Sequence, residues 1–329
     1  MAVFTELSSE EISALLTGYD LGDLKTHKGM LKGVENTNYF IETTKGHFIL
    51  TLFEGRARPT DLPYFMAIMQ HLHDRGFSSP KPIENNKGEI LQHVKGKMAS
   101  IVSFLEGVEP TTITPNHLTA LGTKMAEMHE TLGSFKDKRT NDFSLPTWQS
   151  MATEVAPHLD NITDDCAKRV AMEIKYLSKV WPNLASGDLT TSELPTGTIH
   201  ADLFPDNVFF EGDTFTGFID FYFTCTDFLI YDLAVAINSW CFDKNHQFQP
   251  HFAAALIKGY EQVRPLTNAE VTALPIMYRG AALRFLLTRA YDKYIDLPKP
   301  ENYVINEPIG FARRLQFFQE WKQGQRPID

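Results

Sequence analysis

The sequence has few of the features that define several large classes of protein. It contains three cysteines, Cys166, Cys225 and Cys241. They lack the spacing of metal ligands and cannot all pair with one another, so we expect reduced, semi-buried thiols in a cytoplasmic protein. No uninterrupted apolar run is long enough to cross a bilayer, and residues 1–11 lack the basic and apolar segments of a secretory signal. These absences argue against a disulfide scaffold, a membrane-spanning protein and a secreted protein.

Positive charge is also scarce. The chain has 31 Lys and Arg residues against 41 Asp and Glu residues, for a net charge of −10. This balance disfavours broad binding to nucleic acid or to an anionic membrane, while leaving room for a local basic pocket. The pattern Gly-x-x-x-x-Gly-Lys-Ser/Thr is absent, which disfavours a P-loop NTPase. We therefore expect a small-molecule substrate and neither a nucleic-acid nor a membrane partner; the oligomeric state is not indicated.

The most informative feature that is present is a polar motif with fixed spacing. His200, Asp202 and Asn207 form the pattern His-x-Asp-x-x-x-x-Asn, and Asp220 follows in an Ile-Asp-Phe sequence. Phosphoryl transfer needs an acceptor hydroxyl that is oriented and deprotonated, and a metal ion that neutralises the phosphates. Asp202 suits the first task, and the side-chain oxygens of Asn207 and Asp220 suit Mg²⁺. A polar surface loop with an Asx-type cap is the less favoured alternative.

The residues between the asparagine and the last aspartate predict a β-hairpin. Residues 208–210 and 215–219 read as strands, and residues 211–214 read as the turn between them. An antiparallel hairpin of this length brings Asn207, before one strand, close to Asp220, after the other. The sequence therefore predicts that these two residues share a magnesium ion.

The rest of the chain predicts two lobes of different composition. Residues 1–105 are rich in short strands with one long helix at 61–75, and residues 103–107 would form a hinge. Residues 106–329 contain mainly helical patterns, at 115–132, 148–159, 164–181, 232–240, 250–264, 268–294 and 308–321. We therefore expect an α+β, bilobal, protein-kinase-like fold. A small antiparallel β lobe (1–105) would bind nucleotide, and a large helical lobe (106–329) would carry the catalytic and acceptor-binding residues.

Nucleotide-binding residues are less well marked than the catalytic motif. Gly29 and Gly33 lie between two predicted strands, where a flexible backbone can fold over phosphates, although an ordinary hairpin turn has the same composition. At the predicted hinge, backbone groups of Ser103 and Leu105 would meet adenine. A simple linker between lobes would look the same.

The lysine and glutamate that usually pair in a kinase small lobe are both missing. Thr51 stands where the strand lysine is expected, and residues 61–75 contain no glutamate. Losing both members together avoids leaving one buried charge without its partner. ATP phosphates would then be held by another cation. The candidates, each of which could equally be a solvated surface residue, are Lys32, Arg56, Lys95 and Lys97.

Taken together, these residues resemble the aminoglycoside-phosphotransferase-like kinase superfamily, and within it the phosphotransferase-type homoserine kinases of bacteria. The similarity extends over almost the whole chain. The signature loop HADLFPDN at 200–207 is specific to the superfamily only, whereas ENTNYF at 35–40 and DFYF at 220–223 point to the homoserine kinases. Further matching runs are LTLFE at 50–54, HLHDRG at 71–76, SFLEG at 103–107, YDLA at 231–234 and AALRF at 281–285.

The resemblance implies ATP- and Mg²⁺-dependent phosphorylation of the side-chain hydroxyl of L-homoserine, which gives O-phospho-L-homoserine on the route to threonine. By motif match, Asp202 would be the catalytic base, His200 would organise the loop, and Asn207 and Asp220 would be the magnesium ligands. Asp232 is not expected to be catalytic. It stands at the start of a predicted apolar helix, where a carboxylate caps free backbone N–H groups.

Acceptor-binding residues are predicted from the chemistry of an amino-acid alcohol. An α-carboxylate favours an arginine fork. Arg279, Arg284 and Arg289 lie on one predicted helix, but their five-residue steps do not put all three on one face. We select Arg284. Tyr222 and Trp240 are further candidates for the acceptor pocket, with burial in the core as the alternative.

Two other functions remain open from the sequence. The first is a kinase for another small alcohol, such as choline, methylthioribose or an aminoglycoside, since the superfamily loop does not separate these acceptors. The second is a nucleotide-binding pseudokinase, which the missing lysine–glutamate pair favours and the intact Asp202, Asn207 and Asp220 oppose.

Overall fold

Two units divide the chain in the computed structural model, which describes residues 3–30, 36–54, 57–181, 194–296 and 305–321. The first unit comprises the described part of Met1–Gly107 together with Thr216–Tyr222. The second comprises the described parts of Val108–Phe215, Phe223–Lys299 and Ile305–Asp329. The sequence predicts one boundary, between residues 105 and 106. The units are not separated by a single boundary, because the later segment Thr216–Tyr222 belongs to the first unit.

The first unit is an antiparallel sheet with two helices. Its elements are α1 (Ser9–Leu16), β1 (Leu24–Gly29), β2 (Asn36–Thr43), β3 (Gly46–Phe53), α2 (Leu62–Asp74), β4 (Leu91–Val94) and β5 (Lys97–Ser103). The strands lie in the order β1-β2-β3-β5-β4, and all neighbours are antiparallel. The sequence prediction of a small antiparallel sheet with one long helix is confirmed.

The first unit buries one face of its sheet against α1. Successive side chains of a strand point to opposite faces, so alternate residues of β3 share an environment. Leu50 and Leu52 join Ile41 of β2 in a cluster with Ile12 and Leu16 of α1, and each of these side chains is almost fully buried. Thr51, between the two leucines, is therefore on the other face.

The rest of the described chain is mainly helical. It contains α3 (Pro115–Leu132), α4 (Leu145–Val155), a 3₁₀ turn (Ala156–Asn161), α5 (Cys166–Val180), β6 (Thr196–Ile199), β7 (Val208–Glu211), β8 (Thr214–Phe218), β9 (Cys225–Phe228), α6 (Leu229–Trp240), α7 (Pro250–Glu261), α8 (Asn268–Tyr294) and α9 (Ile309–Glu320). β6 pairs with β9, and β7 pairs with β8 as the predicted hairpin. No helix in the described ranges has both the length and the apolar character needed to cross a membrane.

The helix boundaries mostly agree with the sequence pattern, although the helix predicted over 250–264 ends at Glu261, and two further differences occur at a proline and after a buried strand. The helix predicted over 268–294 has those bounds in the structure. The helix predicted over 148–159 starts earlier, at Leu145, and becomes 3₁₀ at Ala156. Pro157 lacks an N–H for an α-helical bond, which explains the change. The helix predicted from Asp232 begins at Leu229, directly after β9.

Two glycines allow α3 and α7 to cross at close range in the second unit. A Cβ atom on Gly122 of α3 would overlap the Leu256 carbonyl oxygen, and one on Gly259 of α7 would overlap the Thr119 carbonyl oxygen. The Thr123 hydroxyl donates a hydrogen bond to the Gly259 carbonyl at 3.1 Å. Backbone contacts backbone at this crossing, so no side chain larger than hydrogen fits.

We predict that Gly122→Ala and Gly259→Ala each lower the free energy of unfolding by roughly 1–3 kcal/mol, because the added methyl group forces the helices apart. Helix propensity alone predicts the opposite sign, a gain of up to about 1 kcal/mol. Urea unfolding measures the difference. Glu130→Ala, at an exposed position of α3, is the control and should stay within about 0.5 kcal/mol of wild type. A stabilised glycine variant would contradict the close crossing.

Candidate active site

The His-x-Asp-x-x-x-x-Asn motif forms the loop that follows β6 in the second unit. β6 and β9 are antiparallel, with Ile199 opposite Cys225, so the loop starts at the end of a buried two-stranded sheet. His200 is fully buried, whereas Asp202 is partly exposed. Ala201 between them has a φ of +65°. A non-glycine residue in this left-handed region costs roughly 1–3 kcal/mol, which the surrounding contacts must offset.

The carboxylate of Asp232 holds the start of this loop from α6. It accepts hydrogen bonds from the backbone N–H groups of His200 at 2.8 Å and of Ala201 at 2.6 Å, and it lies 3.0 Å from Nε2 of His129. Asp232 and the His129 side chain are completely buried. The prediction that Asp232 caps its own helix is wrong, since Phe228 is the N-cap and makes no side-chain cap. The carboxylate binds the free N–H groups of the catalytic loop instead.

A chain of buried polar contacts extends from Asp232 across the helices. His129 of α3 lies 2.8 Å from the hydroxyl of Tyr260 on α7 through its Nδ1 atom. Arg264 donates to the same hydroxyl at 3.2 Å and to Glu270 of α8 at 2.8 Å. Burial raises the pKa of Tyr260, so its hydroxyl stays protonated as a donor. Every member has a partner, as a buried polar network requires.

Arg284 holds the same loop from α8. Its Nη1 atom donates to the carbonyl oxygen of Ala201 at 2.6 Å, and the residue is only 2% exposed. Its positive charge also opposes the effect of burial, which raises the pKa of the Asp227 carboxyl. The sequence predicts that Arg284 meets the acceptor carboxylate. Its burial and its bond to the loop backbone correct that prediction, because the guanidinium already binds the catalytic loop and lies near the Asp227 carboxylate.

The second half of the loop fixes Asp202 through Asn207. The Asn207 amide nitrogen donates to the backbone carbonyl of Asp202 at 2.8 Å and to its carboxylate Oδ2 at 3.2 Å. The 3₁₀ turn Pro205–Asn207 closes the loop, with the Asn207 N–H bonded to the Phe204 carbonyl at 3.0 Å. Because the amide nitrogen is engaged, the oxygen is the atom of Asn207 suited to a hard metal ion.

Trp240 also serves the loop rather than the acceptor. It is fully buried at the end of α6, and its indole Nε1 donates to the Leu203 carbonyl at 2.9 Å. The hydroxyl of Ser239 lies 3.2 Å from the same oxygen. Of the two interpretations of Trp240, the core role is the correct one.

Asp220, the second predicted metal ligand, follows β8 and is exposed. Its φ is +62°, again in the left-handed region that a residue adopts only when its surroundings require it. It belongs to the first unit, and Asn207 belongs to the second. That the two share a metal ion stays a prediction from the sequence.

The predicted nucleotide-binding residues of the first unit have packing roles of their own. Gly29 ends β1 opposite Tyr39, and a Cβ atom there would lie 2.7 Å from Val3. Leu105 packs against Gly217, where a Cβ atom would overlap it. The Ser103 backbone and side chain both bond to Lys81. Lys32 and Gly33 lie outside the described residues.

A polar contact occupies the position of the missing strand lysine. Thr51 is 2% exposed, and its hydroxyl donates to the side chain of Asn38 at 2.7 Å. Tyr222 also bonds to Thr51 and packs edge-on against Phe53 and Phe65, with ring centroids 5.1 and 5.9 Å apart. Burial, followed by the charge of Asp220, raises the pKa of the Tyr222 hydroxyl. These contacts favour a packing role for Tyr222 over the expected acceptor-binding role.

The other candidate cations differ in their partners. Lys97 lies 3.3 Å from the carboxylate of Glu54 and donates to its backbone carbonyl at 3.2 Å. Lys95 lies 2.8 Å from Glu11. Arg56 is outside the described residues. Glu54 directly follows β3 and Lys97 begins the neighbouring strand β5, so the two residues form a lysine–glutamate pair at a different place from the usual one.

Comparison with known proteins places this loop in a family. The model of the phosphotransferase enzyme family matches residues 26–266, which include the whole catalytic motif and Asp232. The chain belongs to this family.

Homoserine kinases from two bacteria match nearly the full chain. A homoserine kinase of Brucella canis is 42% identical over 320 residues, covering 97% of this chain and 95% of that protein. A homoserine kinase of Afipia carboxidovorans is 42% identical over 319 residues, with the same coverage. No other acceptor is named in these two relatives.

Solved structures of more distant kinases share the fold. The amicoumacin kinase hAmiN in complex with AMP-PNP, Ca²⁺ and Ami has a TM-score of 0.69 at 15% identity, covering 96% of this chain and 94% of that one. The microcompartment-associated aminopropanol kinase has a TM-score of 0.66 at 17% identity, covering 95% and 97%. The expected kinase-like fold is thereby confirmed.

We predict that Asp232→Ala lowers the free energy of unfolding by roughly 3 kcal/mol or more, because two loop N–H groups and His129 lose their buried acceptor. The loop should lose its conformation, so phosphoryl transfer should fall as well. Ser239→Ala is the matched control on the same helix. It should cost no more than about 1 kcal/mol, because Trp240 still binds the Leu203 carbonyl. Equal unfolding midpoints for the two variants would contradict this role.

Proposed function

We propose that the protein transfers the γ-phosphoryl group of ATP to the side-chain hydroxyl of L-homoserine, giving ADP and O-phospho-L-homoserine, a step toward threonine. The observation that carries the proposal is 42% identity to homoserine kinases over 97% of the chain. The geometry of the catalytic loop supports the proposal. Asp202 is partly exposed, Asp232 and Arg284 bind the backbone of Ala201 before it, and Asn207 after it binds its carbonyl and carboxylate.

The chemistry assigned to the loop is proton uptake and orientation. The homoserine hydroxyl oxygen forms a bond to the γ-phosphorus. At the same time the bond between the γ-phosphorus and the β–γ bridging oxygen breaks, and ADP leaves with that oxygen. Asp202 accepts the hydroxyl proton, which is the role of the aspartate in this kind of loop. The amide of Asn207, 3.2 Å from the Asp202 carboxylate, orients that carboxylate toward one direction of approach.

Asn207 and Asp220 would hold Mg²⁺, and this ion would neutralise the negative charge of the ATP phosphates. The donor set of one amide oxygen and one carboxylate fits this ion, which prefers few protein ligands and keeps its waters. This assignment rests on the motif and its spacing. The backbone of Ser103 and Leu105 as the adenine contact, and the segment with Gly29, Lys32 and Gly33 as the phosphate contact, likewise rest on the sequence. So does the cytoplasmic location.

A pseudokinase is the weaker alternative. A binding module has no need of a proton acceptor, yet the structure holds the Asp202 backbone and carboxylate in place with one amide. Thr51, which stands in place of the strand lysine, makes a buried hydrogen bond to Asn38. The missing lysine does not by itself indicate a lost activity.

The test of the acceptor is an ATP-consumption assay with Mg²⁺ over homoserine, choline, methylthioribose and an aminoglycoside. We expect homoserine to give the highest kcat/KM, since a site built for a charged group rejects analogues that leave its partner unpaired. Faster turnover of another alcohol would refute the acceptor and leave the kinase chemistry standing. No ATP consumption with any acceptor, while nucleotide still binds, would favour the pseudokinase.

We expect Asp202→Asn to lower kcat by roughly 10²–10⁴-fold with little change in ATP affinity, because the amide cannot accept the proton. Single-turnover kinetics and nucleotide titration separate the two quantities. Asp213→Asn makes the same substitution at an exposed position in the turn between β7 and β8, and should leave kcat unchanged. Near-normal turnover of the Asp202 variant would remove this residue from the role.

A further inference from the structure

The three arginines of α8 differ in what already compensates their charge. Arg279 forms a two-point ion pair with Glu173, with nitrogen–oxygen distances of 2.7 and 2.6 Å. Arg284 is buried on the Ala201 carbonyl. Arg289 is partly exposed and, among the described residues, has one hydrogen bond, 3.4 Å long, to the Glu307 carbonyl oxygen. Of the three, Arg289 retains the most capacity to bind a ligand.

Arg289 shares an aromatic ring with a second arginine, Arg314 of α9. The guanidinium carbons lie 4.5 Å (Arg289) and 4.4 Å (Arg314) from the centroid of the Phe311 ring. The two carbons are therefore within about 9 Å of each other, where like charges in a partly buried setting repel. Arg289 also lies 5.6 Å from the ring of Phe204, which belongs to the catalytic loop. The arginine pair is thus next to the loop that carries Asp202.

Arg314 lacks compensation within the described part of the chain. It makes no ion pair there, and its Nε atom is buried without a hydrogen-bond acceptor. Burial and then the charge of Arg289 lower its pKa to about 10. Burial also lowers the pKa of Arg289. A largely desolvated guanidinium without a hydrogen-bond acceptor is costly, and an anion bound beside Arg314 would remove that cost.

The charges around Arg289 favour a carboxylate over a polyphosphate as this anion. The carboxylates of Asp202, Asp206 and Asp292 all act on Arg289 and raise its pKa against the effect of burial. A triphosphate would bring several negative charges to a place that already holds three. An amino acid brings one carboxylate, which the arginines attract, and one ammonium group, which the three aspartates attract. Its charges therefore match the site.

We propose that Arg314 and Arg289 bind the α-carboxylate of the acceptor amino acid, and so determine specificity for homoserine over simple amino alcohols. This inference rests on the proposed function. In homoserine the carboxylate carbon is four bonds from the hydroxyl oxygen, roughly 5 Å in an extended chain. A hydroxyl at Asp202 therefore needs a carboxylate partner that neighbours the base, as Arg289 does. Arg314 supplies the uncompensated charge.

The test compares homoserine with 3-aminopropan-1-ol, which is homoserine without its carboxyl group and has one hydroxyl. Wild type should prefer homoserine by roughly ten- to a hundredfold in kcat/KM. Arg314→Met keeps the apolar stem over Phe311 and removes the charge. It should lower kcat/KM for homoserine by a similar factor, mainly through KM, and leave that for 3-aminopropan-1-ol and the KM for ATP unchanged. Arg313→Met, at the adjacent exposed position, is the matched control and should keep the full preference.

Each other outcome has a distinct meaning. An Arg314→Met variant that keeps the preference, or that loses activity equally on both acceptors while folded, overturns the subsite and leaves the proposed function intact. Equal kcat/KM values of the wild type for both acceptors likewise overturn the subsite and leave the proposed function intact. A wild type that phosphorylates neither acceptor refutes the proposed function, and the homoserine subsite with it. If Arg314→Met fails to fold, Arg314→Lys decides: it keeps the charge without the fork, so it should retain part of the preference.

Discussion

The conformation of Ala201 is the constraint on which the rest of the site depends. Its left-handed backbone stands just after β6, between His200, which is buried, and Asp202, which is partly exposed. The N–H of Ala201 is bound by Asp232 and its carbonyl oxygen by Arg284. Both partners are charged, and hydrogen bonds to charged groups are roughly twice as strong as neutral ones. Two such bonds on the two peptide groups that flank the Ala201 Cα atom can offset a strain of a few kcal/mol.

The cost of this arrangement is a set of buried charges, and the helices of the second unit are arranged around it. Asp232 is hydrogen-bonded to His129, and the chain of contacts through Tyr260 and Arg264 ends at Glu270 on α8, the same helix that carries Arg284. Removing one member leaves the others unpaired in a low-dielectric interior, which is more damaging than replacing the whole set. The network therefore couples the position of the catalytic loop to the packing of α3, α6, α7 and α8.

The sequence predicts local structure and the motif well, and predicts long-range partners poorly. Helix periodicity placed α8 to the residue, and the motif identified the loop, because both signals lie within a few neighbouring residues. The partners of that loop lie farther along the chain: Asp232 is 32 residues from His200, and Arg284 is 83 residues from Ala201. A local signal did exist. Asp232 and Arg284 are charged residues inside otherwise apolar helical segments, and such residues are buried only with a partner. That rule indicates burial and pairing, but it does not say with which residue.

The same reasoning separates arginines that hold structure from those that bind ligands. A guanidinium is always charged and carries five donors, so each buried arginine must be compensated by protein or by a ligand. Glu173 compensates Arg279. Arg284 donates through Nη1 to the Ala201 carbonyl and is near the Asp227 carboxyl, although its Nε, like that of Arg314, is buried without an acceptor among the described residues. For Arg314 the described residues provide aromatic faces, which attract a cation but accept no hydrogen bond in the plane of the fork. Spacing along a helix could not have shown this difference. The difference depends on which acidic residues lie near each guanidinium. Arg314, which has no acidic partner among the described residues, is the arginine near the catalytic loop that an anionic ligand would best compensate.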